Sequence, residues 1–383
     1  MEFQLYSSIK SISASLWDSL FNSDCPFIKH AYLLALEQSE CVTSATGWQP
    51  QHLLMSDGGR VIAALPLYRK MHSYGEFVFD WGWAEAYQRY GLDYYPKLVT
   101  AIPFTPVAGP RMGVVDGEDV AEVLAAFLNE IQRMILTTGG SSWHLLFADD
   151  ALQTRIDHAE NSTLMRREAV QFHWFNKSYQ SFDDFLQSFR SSRRKNLKRE
   201  RRKVLEQGMT VYRKVGAEIE EDEWQAFYRC YQDTYLKRSG HAGYLNQVFF
   251  SQLRETMEDQ LMLVVARDAD GVVAASLFLF DSDTLYGRYW GALEDVPFLH
   301  FEACFYQGIE FCIERGLGRF DPGTQGEHKL IRGFEPIKSA SYHWIADPRF
   351  RTAIEDFVTH EKEGAKQYQQ EAEIMLPFKK AGS

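Results

Sequence analysis

The clearest pattern along the chain is an apolar hairpin that occurs twice. Residues 52–68 and residues 261–280 each contain an apolar strand, an Asp-Gly turn and a second strand that begins Val-(Ile/Val)-Ala-Ala. Asp-Gly supplies the positive φ that a tight hairpin turn requires. Each hairpin is followed by an aromatic strand pattern that ends in Trp-Gly, at 81–82 and at 290–291. The shared order predicts that the chain contains two copies of one fold.

The remaining pattern alternates between strands and helices. In the second half it predicts strands at 209–215, 284–291, 317–321 and 340–346 and helices near 220–237, 245–258 and 301–316. In the first half it predicts strands at 3–8 and 142–147 and helices near 14–22, 27–38 and 119–137, with an insertion-like stretch at 84–113. This order predicts an α/β fold with mixed sheets, in two domains at 1–176 and 177–383.

Length, charge and cysteine content limit the class of protein. A chain of 383 residues exceeds one ordinary core, which agrees with two domains. A net charge of −11 gives no general attraction to nucleic acid or to an anionic membrane. The sequence has neither an apolar run of membrane-spanning length nor a secretion signal pattern. The five cysteines lack CxxC spacing, so we expect a cytoplasmic protein with neither a disulfide framework nor a metal site.

The segment 321–334 has the strongest concentration of chemically active side chains. It contains three glycines and five ionisable residues, which are Asp321, Glu327, His328, Lys329 and Arg332. Ligands of α/β sheets bind beyond the carboxyl ends of strands, and this segment follows a strand pattern. Glu and His transfer protons, whereas Lys and Arg bind anions. Composition alone also fits a solvated loop with surface charges, and both interpretations stay open.

Two neighbouring segments contribute further candidates. Arg288 lies inside the aromatic strand pattern close to Trp290, where its charge needs a ligand anion or an ion-pair partner such as Glu302. His300 and Glu302 stand at the start of the helix predicted at 301–316. Glu302 there is either a carboxylate that complements the helix dipole or a general base directed at the strand ends.

A basic run spans residues 190–203, with nine basic residues and one acid. Leu197 and Val204 continue an apolar line from Phe189, so we predict a helix with one docked edge and a wide cationic face. The candidate phosphate-binding side chains on that face are Arg193, Arg194, Lys195, Lys198, Arg199 and Arg202. A phosphate-rich partner is one explanation, and pairing with acids of this chain, such as those at 218–223, is the other.

Several stretches together resemble the FemAB-like family, a bacterial group of the GNAT superfamily labelled peptidoglycan biosynthesis/recognition. The stretches are 171–176, 194–196, 200–201, 287–291, 300–302, 323–329 and 332–333. The likeness covers most of 140–350 and is most specific at 284–333. It implies two tandem GNAT-like acyltransferase domains, the second of which opens with the basic helix and carries the site.

The resemblance also implies a reaction: transfer of an acyl group from a thioester or an aminoacyl-tRNA to an amine, with a cell-wall precursor as the acceptor. Backbone N–H groups at a splayed pair of strands, 284–291 and 317–321, would polarise the donor carbonyl. The residues it implies for catalysis are Glu327, His328 and Glu302. Those it implies for substrate binding are Arg288, Trp290, His300, Gln325, Lys329 and Arg332.

One departure from the GNAT pattern concerns the donor. GNAT enzymes that use acetyl-CoA have a glycine-containing loop that binds pyrophosphate, and residues 291–301 lack it. The basic run therefore favours aminoacyl-tRNA over acyl-CoA as the donor, while acyl-CoA stays open as the cosubstrate.

The alternative function is a non-catalytic protein that recognises a cell-wall-type ligand in the same cleft. The first half lacks the Arg288 strand and the 323–332 segment, so we expect it to be a scaffold or part of the acceptor site.

Overall fold

The apolar runs of the sequence form the inner strands. In the computed structural model, which describes residues 1–159, 163–324 and 326–379, six of the seven residues of Leu261–Arg267 are buried. The strands in chain order are β1 (Glu2–Tyr6), β2 (Trp48–Pro50), β3 (His52–Asp57), β4 (Arg60–Leu65), β5 (Tyr68–Lys70), β6 (Lys97–Thr100), β7 (Gly113–Val114), β8 (Ser142–Leu146), β9 (Met165–Phe175), β10 (Thr210–Val215), β11 (Leu261–Arg267), β12 (Val272–Phe280), β13 (Thr284–Ala292), β14 (Arg319–Asp321) and β15 (Glu335–Ile345).

Helix ends follow capping signals in the sequence. Ser181 begins one helix by accepting a hydrogen bond from the N–H of Asp184, and Gly316 ends another in a left-handed conformation. The helices in chain order are α1 (Ala14–Phe21), α2 (His30–Gln38), α3 (Trp81–Arg89), α4 (Val120–Thr138), α5 (Asp150–Asp157), α6 (Phe182–Gln187), α7 (Ser191–Glu206), α8 (Glu221–Ser239), α9 (Gln247–Met257), α10 (Leu299–Phe301), α11 (Gln307–Arg315) and α12 (Pro348–Met375). None of the described helices is both long enough and apolar enough to cross a membrane.

The chain divides into two units. Unit 1 comprises Met1–Ala169 and Lys338–Lys366, and unit 2 comprises Val170–Ile337 and the residues from Gln367 onward. The sequence analysis assigned 338–366 to the second domain. These residues instead belong to unit 1, because Ser341–Ile345 of β15 pairs with β8. A local pattern can predict a strand, but it does not specify the sheet that the strand joins.

The sheet of unit 2 has the strand order β10-β11-β12-β13-β14-β9. Its neighbours are antiparallel except for β13 and β14, which run parallel and pair only from Thr284–Arg319 to Tyr286–Asp321. Beyond that point β13 continues to Ala292, whereas β14 has ended. Helix α8 packs against β12 and β13, and the helical stretch from α10 to α11 packs against β11, β12, β13 and β14.

Unit 1 contains two groups of strands. One is a four-stranded antiparallel sheet in the order β1-β3-β4-β7, and the other has the order β15-β8-β6-β5-β2. Both Asp-Gly hairpins form as predicted, β3–β4 in unit 1 and β11–β12 in unit 2. In each unit one strand is followed by two helices before the hairpin, and that strand pairs with the first hairpin strand: β1 with β3, and β10 with β11.

The prediction of an aromatic strand that ends at Trp81-Gly82 is wrong. Trp81 is instead the first residue of α3. Trp83 and Tyr87, four residues apart, are both buried, which is the spacing of one helix face. The shared Trp-Gly dipeptide therefore has different surroundings in the two units, a strand in unit 2 and a helix start in unit 1.

Candidate functional site

A cleft of about 400 Å³ opens in unit 2 where β13 extends past the end of β14. The strand β13, the helical stretch 299–306 and the turn after β14 form its walls. The lining residues are Arg238, Ser276, Gly287, Arg288, Tyr289, Trp290, His300, Phe301, Cys304, Phe305, Pro322, His328 and Lys329. No Asp or Glu is among the described residues that line it, whereas three of them are Lys or Arg. The cleft therefore favours a ligand that carries an anionic group.

Arg288 reaches the cleft because β13 contains a bulge. Leu277 pairs with Tyr289 and Phe278 pairs with Gly287, so Arg288 is the extra residue of the bulge. Bulges redirect a side chain, and they occur often beside active sites. A Cβ at Gly287 would lie 3.3 Å from both the Phe278 and the Phe320 ring atoms, so glycine is the residue that fits there.

Two histidines face each other across the cleft, with ring centroids 5.9 Å apart. Burial, together with the neighbouring His328, lowers the pKa of His300 to about 3. Burial and the charges of Arg332 and Lys329 also lower the pKa of His328. Both imidazoles are therefore neutral at pH 7, the form in which a histidine accepts a proton. The sequence analysis named both residues, and both line the cleft.

Lys329 is a buried cation on the same wall. Its Nζ donates a hydrogen bond to the carbonyl of Gly323, and burial lowers its pKa to about 8 despite the opposing effect of Asp321. The Asp321 carboxylate accepts from the N–H of Gly323 at 2.8 Å and lies 3.5 Å from Nε2 of His173. At pH 7 the Lys329 ammonium is retained, so it can hold an anionic group in the cleft.

Arg332 and Glu327 do not line the cleft. Arg332 is buried and donates to Glu200, to the Tyr306 hydroxyl and to the carbonyl of His328. Glu327 is exposed and accepts a hydrogen bond from the hydroxyl of Tyr368 at 2.9 Å. Of the residues predicted in this segment, His328 and Lys329 are the ones at the cleft. Gln325, also predicted to bind substrate, lies outside the described residues.

Glu302 belongs to a buried ion-pair cluster and not to the cleft wall. It is the first residue of a π-helical segment, Glu302–Tyr306, between α10 and α11. Its carboxylate accepts from Nε and Nη2 of Arg201 and from the side-chain amide of Gln307. Arg201 thus contacts both carboxylate oxygens of Glu302. Cys304 does line the cleft, and burial raises the pKa of its thiol to about 12, which keeps it from acting as a nucleophile.

The basic run forms helix α7 as predicted. Leu197, Glu200 and Val204 are buried, which gives the docked edge. Lys198 pairs with Asp183 and Arg202 pairs with Glu206. Among the ion pairs of the described residues, none joins this helix to the acids at 218–223. The other candidate phosphate-binding side chains, which are Arg193, Arg194, Lys195 and Arg199, form no ion pair with a described residue.

The sequence analysis missed Arg238, which follows the aromatic face of α8 near its end and lines the cleft. It also lines an adjoining cleft of about 260 Å³ that shares Trp290 and His300. Glu294 and Asp295 line this second cleft, in the stretch where acetyl-CoA-dependent GNAT enzymes have their pyrophosphate loop. Arg238 belongs to no sequence motif. Its position at the cleft follows from the packing of α8 on β13, which the sequence does not show.

Unit 1 contains a second cluster of ionisable side chains that no motif indicated. Lys70 and Lys97 are directly opposite on β5 and β6, and both are fully buried. Nζ of Lys97 donates to Asp80 and to Glu76, at 2.5 and 2.8 Å. Burial raises the pKa of Glu76 to about 7. In the same unit, Nδ1 of His144 lies 2.6 Å from the ring of His343.

The geometry of these sites gives no sign of a metal centre. Within the described ranges, no three His, Cys, Asp or Glu side chains are grouped so as to hold a metal ion. The cleft of unit 2 instead combines neutral histidines with cations, a set suited to proton transfer beside an anionic substrate group.

Comparison with known proteins identifies similar chains. The model of a FemAB-like family, described as peptidoglycan biosynthesis/recognition, matches residues 8–380. Among solved structures, the crystal structure of FemX is similar, with a TM-score of 0.55 and 14% identity over 93% of this chain and 100% of that chain. The C-terminal domain of a putative lysylphosphatidylglycerol synthetase from Agrobacterium fabrum has a TM-score of 0.51 and 11% identity, over 89% of this chain and 93% of that one.

A conserved protein of unknown function from Bacteroides thetaiotaomicron is also similar, with a TM-score of 0.51 and 10% identity over 89% of this chain and 99% of that one. No curated protein sequence matches the chain significantly. At such identities the structural likeness establishes the fold alone. The predicted α/β fold with mixed sheets and two tandem GNAT-like units is confirmed.

Proposed function

Because the chain belongs to the FemAB-like family, we propose that unit 2 transfers an acyl group to an amine acceptor in the cleft beside β13. The observation that carries the proposal is the pairing of two neutral imidazoles, His300 and His328, with Lys329 and Arg288 in one cleft. A base that is neutral at pH 7 and a fixed positive charge are what aminolysis of an activated acyl donor requires.

In the proposed reaction the amine nitrogen of the acceptor attacks the carbonyl carbon of the donor. His328 accepts the proton that the nitrogen loses. It passes this proton to the leaving oxygen or sulfur as the bond to the carbonyl carbon breaks, so the donor departs as a free hydroxyl or thiol and the imidazole is neutral again. Backbone N–H groups of β13, freed from pairing where β14 ends, are suited to stabilise the oxyanion. Lys329 and Arg288 hold an anionic group of a substrate, and Trp290 packs beside it. Glu302, Glu327 and Arg332 have no direct part in this scheme.

An aminoacyl ester of tRNA is the proposed donor. Glu294 and Asp295 line the adjoining cleft, and their carboxylates would repel the pyrophosphate of CoA. The exposed cations of α7, among them Lys195 and Arg199, provide a surface for RNA phosphates in unit 2. The family description supports a cell-wall precursor with a free amine as the acceptor.

The test supplies the purified protein with charged tRNA or with acyl-CoA, together with amine-bearing peptidoglycan precursors, and measures acyl transfer by mass spectrometry. We expect transfer from charged tRNA and its loss in His328→Ala. Transfer from acyl-CoA alone would overturn the proposed donor. Binding of the precursor without turnover of any donor would overturn the enzyme assignment in favour of a recognition protein.

A further inference from the structure

Glu200 of α7 and Arg332 form a buried ion pair behind the turn that carries His328 and Lys329. We propose that this pair is a positioning device: it holds the turn Glu327–Arg332 so that His328 faces the cleft. The kinetic part of this inference rests on the proposed transferase function, whereas its structural part does not.

The guanidinium of Arg332 donates hydrogen bonds to three different residues. Its Nη1 donates to the carbonyl of His328 at 2.8 Å, and its Nη2 lies 2.9 Å from each carboxylate oxygen of Glu200. Its Nε donates to the hydroxyl of Tyr306 at 3.0 Å. The guanidinium also lies 3.4 Å from the centre of the Phe301 ring. Because the donors of a guanidinium are fixed in one plane, these contacts set the position of the His328 backbone.

The turn needs such an anchor because its own structure is weak. It is a 3₁₀ turn of six residues between two glycines with positive φ, Gly326 at 107° and Gly333 at 88°. Short 3₁₀ turns have poor hydrogen-bond geometry, and glycine leaves both ends conformationally free. Arg332 links this turn to α7 through Glu200 and to the π-helical segment through Tyr306. The π-helical segment contributes Cys304 and Phe305 to the cleft wall.

Glu200 is the one acid in the basic run 190–203, and it lies on the buried edge of α7. Its side chain is 11% exposed and also accepts a hydrogen bond from Tyr306. Without the carboxylate, the Arg332 charge would be left buried with no ion-pair partner among the residues described here. The loss of that partner would let Arg332, and with it the His328 carbonyl, move.

Helix α7 provides a matched control. A second, partly exposed ion-pair cluster joins Arg201 to Glu302 and to Glu310, and Glu310→Gln removes one of those carboxylates. Glu310 makes no contact with the turn among the interactions described. The control therefore weakens an ion pair of the same helix without disturbing the anchor of His328.

The experiment compares Glu200→Gln with Glu310→Gln by amide hydrogen exchange, by NMR of the His328 ring and by transfer kinetics. In Glu200→Gln we expect exchange at the N–H groups of Lys329, Gly333 and Phe334 to rise at least about tenfold. The His328 ring resonances should move toward free-histidine values, because the ring leaves Phe301 and Phe305. We expect kcat to fall about 10- to 100-fold with little change in KM. Glu310→Gln should show none of these effects.

Equal effects of the two variants on exchange, on the His328 resonances and on kcat would show that Glu200 has only a structural role. If Glu200→Gln does not fold, Arg332→Lys, which keeps the charge but loses the planar fork, is compared with Glu310→Gln by the same readouts. If the unaltered protein transfers no acyl group, the proposed function fails, and the exchange and NMR results still decide this inference.

Discussion

Nη2 and Nε of Arg201 lie 2.8 and 2.9 Å from the two carboxylate oxygens of Glu302. Gln307 donates to the same carboxylate at 2.7 Å. A carboxylate held in this way by side chains of the protein is bound to α7 and is not aimed at a substrate. In the proposed reaction the proton acceptor is therefore His328, which lines the cleft.

His328→Ala should lower kcat for acyl transfer by about 100- to 10,000-fold, the usual contribution of a general base. Its neighbour Glu327 provides the matched control, because it is exposed and does not line the cleft. Steady-state kinetics on both variants would measure the difference. An equal loss of activity in Glu327→Ala would contradict the assignment of the base.

The pH dependence of kcat/KM should be bell-shaped with limits set by His328 and Lys329. The pKa of His328 is lowered from its ordinary 6.5, so the base stays neutral, and the acid limb lies below 6.5. The pKa of Lys329 is about 8, so its ammonium is lost as the pH rises through 8 and binding of an anionic group weakens. In Lys329→Arg the charge persists, and the alkaline limb should move upward. A profile that is unchanged in that variant would count against Lys329 as the anion holder.

The exposed face of α7 should bind tRNA with a strong dependence on salt. Replacing Arg193, Arg194, Lys195 and Arg199 with Gln should weaken binding and reduce the slope of log K against log salt by roughly 0.7 for each phosphate that the helix no longer neutralises. Titration of fluorescent tRNA at several salt concentrations measures that slope. As a control, Arg89→Gln and Arg133→Gln remove charges from α3 and α4 and should leave the slope unchanged. If the α7 variants keep the original slope, the helix is not an RNA-binding surface.

The buried cluster of unit 1 should make stability depend on pH through Glu76. Burial raises its pKa from 4.5 to about 7, so between these values the folded state binds more protons than the unfolded state. Stability should therefore fall as the pH rises from 4.5 to 7, by about 1–3 kcal/mol from this group. Urea unfolding at pH 4.5, 6 and 7.5 would detect this fall, and Glu76→Gln should remove it. Glu85→Gln, on the exposed face of α3, should keep the fall in stability with pH. If Glu85→Gln loses the fall as well, the pH dependence does not come from Glu76.

The elements that the sequence predicted well are those specified by neighbouring residues. The two hairpins depend on Asp-Gly turns between apolar runs, and α7 depends on the apolar line through Leu197 and Val204 in the basic run. The start of α3 was missed because the aromatic residues around Trp81 also suit a strand. Only the burial of Trp83 and Tyr87 on one side shows the helical period.

The site was predictable to the extent that its residues are close in sequence. Arg288, Trp290, His300, His328 and Lys329 come from three short segments, and they line one cleft. Contacts between distant segments could not be predicted. Glu200 and Arg332 are 132 positions apart, so a motif that contains Arg332 does not reveal that its charge is already neutralised.

The π-helical segment Glu302–Tyr306 places one extra residue in the helix between α10 and α11. Phe301, Cys304 and Phe305 reach the cleft, while Glu302 and Tyr306 reach Arg201 and Glu200 of α7. Deleting one residue here would rotate everything that follows by about 100°. The side that lines the cleft and the side that contacts α7 would then both be displaced by one deletion. This stretch should therefore tolerate substitutions far better than insertions or deletions.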